Sequence, residues 1–145
     1  MTRTGGAVTG EVGGYLRFAN AGRVACQLHG WPTVTAVTAT GRTIRAVRAL
    51  HGTMFGGWQY TLPPRVRLTP GGAAYAVLAA GDRPVGTSGS CPVVRWLRVA
   101  PPASPGHVML SARLYGRVYL PACTSVSGST EIELSAVVPL RDLAR

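Results

Sequence analysis

Lysine is missing from this chain altogether, and acid is scarce. All fifteen basic residues are arginine, opposed only by Glu11, Asp82, Glu131, Glu133 and Asp142. The first absence reads as the codon bias of a GC-rich genome. The second leaves a hydrolase triad little to draw on, since two aspartates are the whole supply. No window approaches the roughly 18–20 apolar residues with which a helix spans a bilayer. The longest apolar stretch, Ala73 to Ala80, is short and alanine-rich. No C-x-x-C pair occurs, which argues against a zinc ribbon or a redox dithiol. No charged-then-apolar leader opens the chain. Met1 to Gly6 reads as a start set in a Gly/Thr linker, with an export signal expected upstream.

What is present suits one globular domain. The 145 residues are enough for a single core, and a 46% hydrophobic content argues against wholesale disorder. Gly 19 and Pro 11 together imply frequent turns and short elements. The net charge of +10 attracts polyanions, whether nucleic acid, teichoic acid or an anionic membrane surface. It does not choose among them, because the arginines form no clustered run. Three cysteines imply one disulfide and one orphan in an oxidising compartment, or three buried thiols in a reducing one.

Hydrophobic periodicity is 2 almost everywhere, not 3.6. Leu16 and Phe18 alternate with Tyr15 and Arg17, and a turn follows at Asn20-Ala-Gly-Arg. Val24, Cys26 and Leu28 alternate next, until Gly30-Trp31-Pro32 ends the run, since proline cannot donate to a central ladder. Val34 to Ala39 and Thr43 to Val47 flank Gly41 as a hairpin. Residues 51–64 and 82–90 read as long loops. Strands are expected at residues 65–68, 73–80 and 93–99. Val108 to Leu120 alternates most cleanly, and Thr130 to Val138 alternates again with Ile132, Leu134, Ala136 and Val138 inward. Seven to nine short strands predict an all-β, antiparallel β-sandwich, with a β-barrel as the alternative. The division expected is a linker or leader remnant over 1–13, one sandwich domain over 14–139 and a tail over 140–145.

The order of these pieces resembles a known family of actinobacterial exported proteins and lipoproteins, domain of unknown function 4232. The resemblance is carried by Asn20-Ala21-Gly22, Cys26-Gln-Leu28-His-Gly30-Trp31-Pro32 and the hairpin from Val37 to Arg42. It continues through Leu68-Thr-Pro70-Gly71-Gly-Ala-Ala74, Cys91-Pro92, Pro101-Pro102 and Ala122-Cys123, and covers roughly residues 14–139. It implies an immunoglobulin-like sandwich in the cell envelope or medium and no known activity. Members of that family often carry a further cysteine before the first strand. None precedes Cys26 here, which leaves Cys26 without its expected partner, as an unpaired or intermolecular thiol.

Four constellations remain. Cys91 and Cys123 each follow a Gly/Ser/Pro-rich loop and are the expected disulfide; the alternative pairs Cys26 with one of them. Arg113, Tyr115, Arg117 and Tyr119 form an outward stripe of alternating cation and ring that could stack bases or sugars and hold phosphates. The blander reading pairs Tyr119 with Glu131 and Arg117 with Glu133 across a hairpin. Met54, Phe55, Trp58 and Tyr60 place a methionine and three rings in a Gly-rich loop, as a binding patch or as a lid over the end of the sandwich. His29, His51 and His107 fall in unrelated loops or strand ends, so neither a metal nor a cofactor is expected.

The reading is a non-catalytic, secreted or envelope-associated module that acts by binding or assembly, its partner an unknown protein or envelope polymer and homo-oligomers conceivable. Two alternatives stand beside it. One is a basic protein that binds polyanions or nucleic acid. The other is a small secreted protease inhibitor, for which Asp82 to Ser90 is the loop to inspect.

Overall fold

The structure is a computed structural model and describes residues 5–8, 11–49, 62–81, 91–114, 118–123 and 132–143. Thirteen strands occur among these residues. In chain order they begin with β1 (Gly5–Val8), β2 (Glu11–Ala19), β3 (Cys26–His29), β4 (Thr33–Thr38), β5 (Thr43–Arg45) and β6 (Val47–Ala49). They continue with β7 (Arg65–Leu68), β8 (Ala73–Gly81), β9 (Val93–Ala100) and β10 (Val108–Ser111), then β11 (Arg113–Leu114), β12 (Val118–Pro121) and β13 (Ile132–Ser135). The count exceeds the seven to nine expected because bends and short breaks divide several runs into two.

Two sheets face each other. One has the order β1-β2-β8-β13-β6; the other runs β11-β12-β9-β4-β5, with β10 also on β9. A β3-β7 ribbon completes the domain. Pairing is antiparallel except between β13 and β6. Neither sheet closes on itself, so the architecture is the predicted sandwich and not the barrel.

Alternation builds the core. Leu16, Phe18, Ala74, Ala76, Leu78, Ile132 and Leu134 point inward from one sheet; Val34, Ala36, Ile44, Val94, Leu97 and Val99 meet them from the other. The ribbon adds Val66 and Leu68. Each buried Leu or Val contributes about 1.5–3 kcal/mol relative to exposure.

The outer faces of the two sheets differ in what covers them. β8 is buried on both sides: Val77 and Ala79 are as inaccessible as Leu78. A strand so covered must be apolar throughout, which is why residues 73–80 lack any charge. The cover is the segment from Val138 to Leu143. Tyr75 and Val138 exchange backbone hydrogen bonds of 2.9 and 2.7 Å, and Leu143 packs with Val77 and Val138. Residues 140–142, expected in a tail, therefore form a 3-10 turn beside this patch. Residues 5–8 and 11–13, expected in a linker, lie in the five-stranded sheet.

The end of β13 departs from simple alternation. The Val77 amide donates to Ser135 Oγ at 2.7 Å, and that hydroxyl donates to the Ala136 carbonyl. A side chain thus replaces one rung of the ladder and the chain slips by a residue. Val137 enters the inner core while Val138 covers the outer patch, so Val138 does not share the inner face with Ile132 and Leu134.

Two turns explain the motif at residues 20–32. Asn20 Nδ2 donates to the carbonyls of Val24 (2.9 Å) and Leu68 (3.1 Å), while Oδ1 accepts from the Gly22 amide (2.9 Å). Its backbone also exchanges bonds with Gly71 and Gly72, tying the Asn-Ala-Gly turn to the Pro70-Gly71 turn. Replacing Asn20 with Ala is expected to cost about 1–2 kcal/mol, read as a lower urea midpoint at unchanged m. Gly30 has φ +94°, which L side chains rarely adopt, and its carbonyl accepts from Val137. Trp31 Nε1 then donates to the Ala49 carbonyl at 3.2 Å, with Arg48 5.4 Å over its ring. This corner is a joint between strands.

Candidate functional site

The outer face of the six-stranded sheet begins with a fault in β9. Val94, Leu97 and Val99 are fully buried. Strict alternation cannot place both Val94 and Leu97 inward, because they are three positions apart, an odd number. The register shows how it is done. Val37 lies opposite Trp96 and the next residue, Thr38, lies opposite Val94, so Arg95 is an extra residue on β9. A bulge of this kind turns both of its residues to one side. Arg95 and Trp96 therefore share the outer face, and Trp96 keeps 49% of its surface exposed.

The neighbouring edge has a fault at the same level. β10 pairs Val108–Ser111 with Val99–Trp96, and the Ala112 amide donates to the Arg95 carbonyl at 2.9 Å. The next contacts with β9 are Leu120 opposite Val94 and Pro121 opposite Val93. Between them the edge strand stops pairing with β9, and β11 pairs with β12 instead. Arg113 pairs with Tyr119 and Leu114 with Val118, while the Leu120 amide donates to the Ala112 carbonyl at 2.8 Å and closes the base. The run from Val108 to Leu120 is thus one edge strand interrupted by a small hairpin, not the single strand its alternation predicts.

Bulge and hairpin bring two cations onto one ring. The guanidinium carbon of Arg95 lies 4.5 Å from the Tyr119 ring centroid and that of Arg113 lies 4.9 Å away. The hydrogen bond from Arg113 is the main reason the Tyr119 phenol sits below its ordinary pKa; the charges of both arginines and a bond from Arg95 add to it, against a desolvation that raises it.

More cations follow across the sheet. Arg98 lies opposite Thr35 on one side and Met109 on the other, and Thr35 lies opposite Arg45. Arg45, Arg95, Arg98 and Arg113 are all exposed. Trp96 sits between Val37 and Ser111 in the adjoining row. No acid occurs in any of the six strands. Glu11 and Glu133 are in the opposite sheet and Asp142 is in the 3-10 turn that covers it; Asp82 and Glu131 lie outside the described residues.

The pairing of Tyr119 with Glu131 and of Arg117 with Glu133 is therefore corrected. Glu133 lies opposite Ala79 and Val47 in the other sheet, and the partner of Tyr119 is Arg113. The reason is topological. After β12 the Cys123 amide donates to the Gly81 carbonyl at 3.1 Å, and the chain crosses to the other sheet. Tyr115 and Arg117 lie outside the described residues, as do Met54, Phe55, Trp58, Tyr60, His51 and the loop from Asp82 to Ser90. The sequence alone does not single out Arg45, Arg95, Trp96 and Arg98. The one local signal was the spacing in Val94-Arg-Trp-Leu97, where two non-inward residues separate two core positions.

The remaining site residues divide by role. Cys91 and Cys123 are joined as a disulfide across a sequence separation of 32, and Cys26 is a free, exposed thiol on β3. His29 and His107 are exposed. Among the described residues no three His, Cys, Asp or Glu gather as a metal site, and no helix is long and apolar enough to cross a membrane.

No curated protein and no solved structure matches the chain. A family model does, over residues 1–137, and its description is a domain of unknown function, DUF4232. With the match covering most of its length, the chain belongs to the DUF4232 family.

Proposed function

We propose that this domain is a non-catalytic module of the cell envelope or medium that binds an anionic partner through the outer face of its six-stranded sheet. The observation that carries the reading is the segregation of charge: Arg45, Arg95, Arg98 and Arg113 surround Trp96 and Tyr119, in strands without a single acid. The opposite outer face is covered around Val77 by the segment from Val138 to Leu143. The action is binding rather than catalysis, because guanidinium groups and rings supply charge and stacking but no base or nucleophile suited to turnover. Location outside the cytoplasm is supported by the Cys91–Cys123 bond, which persists in oxidising compartments.

A single-stranded oligonucleotide is a convenient probe of uniform charge. If the four arginines each neutralise one phosphate, log K falls against log salt with a slope of about −3, or about fifty-fold between 50 and 200 mM salt. Fluorescence anisotropy over that range measures it. A slope near zero contradicts the proposal.

A further inference from the structure

The bulge on β9 and the hairpin beside it act on one point. Arg95 is the inserted residue of the first and Arg113 opens the second. Each is held by backbone: Arg95 through its carbonyl's bond from Ala112, Arg113 through its pairing with Tyr119. Two like charges brought this near to each other repel, and no acid in these strands offsets them. Their separation cannot exceed the sum of their distances to the ring they share.

We propose that Arg95, Arg113 and Tyr119 form a clip for one phosphate group of an anionic polymer. The inference rests on the reading of this face as the binding surface and names its ligand chemistry. Each guanidinium carries five N–H donors in one plane, so the bond that each makes to the Tyr119 phenol leaves others for a ligand. A carboxylate that takes one guanidinium edge on both oxygens has only its outer lone pairs left for the second arginine. A tetrahedral phosphate presents further oxygens and accepts from both arginines, through charge-assisted bonds of about 2.8 Å on either side. Tyr119 acts as the platform the two forks share, with the guanidinium carbons 4.5 and 4.9 Å from its ring centroid. The depressed phenol pKa is in keeping with that field.

Inorganic phosphate and sodium acetate, titrated at matched ionic strength into protein labelled with nitrogen-15 at arginine, test the clip. The side-chain N–H signals of Arg95 and Arg113, assigned with Arg95→Gln and Arg113→Gln, are expected to move together with phosphate along one saturating curve. Acetate should bind at least tenfold more weakly. Shifts no larger than those of the exposed Arg65 and Arg67 overturn the clip. Polyphosphate and polyglutamate of equal charge form the second arm. A preference of tenfold or more for polyphosphate, lost in Arg113→Gln and kept in Tyr119→Phe, supports it. Equal affinity for the two polymers overturns the phosphate assignment and leaves the anion-binding face intact; binding to neither overturns both.

Discussion

Replacing Cys91 and Cys123 together with serine lowers the unfolding free energy by about 3–4 kcal/mol, as the chain-entropy model gives for a loop of this length. That is a large share of the roughly 5–15 kcal/mol that holds a domain together. The loop it closes contains β9, β10, β11 and β12, which carry Arg95, Trp96, Arg98, Arg113 and Tyr119. The bond sits where these strands begin and end: the Ala122 amide donates to the Pro92 carbonyl at 3.0 Å, beside the Cys123–Gly81 bond that leads to the other sheet. Without the covalent link, the two ends are held near each other only by bonds of this kind. A thermal midpoint lower by about 10 °C is expected for a chain of this size. A loss below about 1 kcal/mol in urea contradicts the account. The same result in the wild type with reductant ties stability to an oxidising compartment.

Two adjacent residues of β9 give the second large effect. Leu97→Ala costs about 2–5 kcal/mol, because Leu97 is fully buried and lies opposite Ala36 on one side and Leu110 on the other. Trp96→Ala changes stability by less than about 1 kcal/mol, because about half of the residue's surface already faces water. Its cost falls on the ligand: loss of one stacking ring weakens oligonucleotide binding by about tenfold or more. Denaturant titration and anisotropy separate the two quantities. If Trp96→Ala destabilises as much as Leu97→Ala, the bulge does not turn Trp96 outward and the binding face loses its centre.

These residues also show what a sequence carries and what it hides. Alternation is a local signal, so the all-β sandwich and most strand positions were legible in it. The joint at Asn20 to Pro32 was legible because Asn20 and Gly30 answer local backbone demands. The hairpin at Arg113 to Tyr119 was hidden by the same signal. Both of its arms keep the alternation, so Ala112 and Leu120 are inward with or without it; only Gly116 hints at a turn. The partner of Tyr119 was misread because strand neighbours are set by long-range topology. The sites of Arg45 and Arg98 share that cause: nothing near either residue says that Thr35 lies between them. Ser135 was invisible for another reason, since a serine that replaces a ladder rung looks like any small polar residue in a strand.

A comparison at fixed charge tests the binding face most directly. One variant carries Arg45→Gln, Arg95→Gln and Arg98→Gln; the other carries Arg23→Gln, Arg65→Gln and Arg67→Gln, equally exposed but off the six-stranded sheet. Both lose three charges, so any effect of net charge alone is the same in each. The first is expected to flatten the salt slope by about 2 and to weaken oligonucleotide binding more than tenfold at 50 mM salt, while the second stays within about threefold of wild type. Equal losses in the two variants would contradict the account, leaving only the attraction of a basic protein for any polyanion.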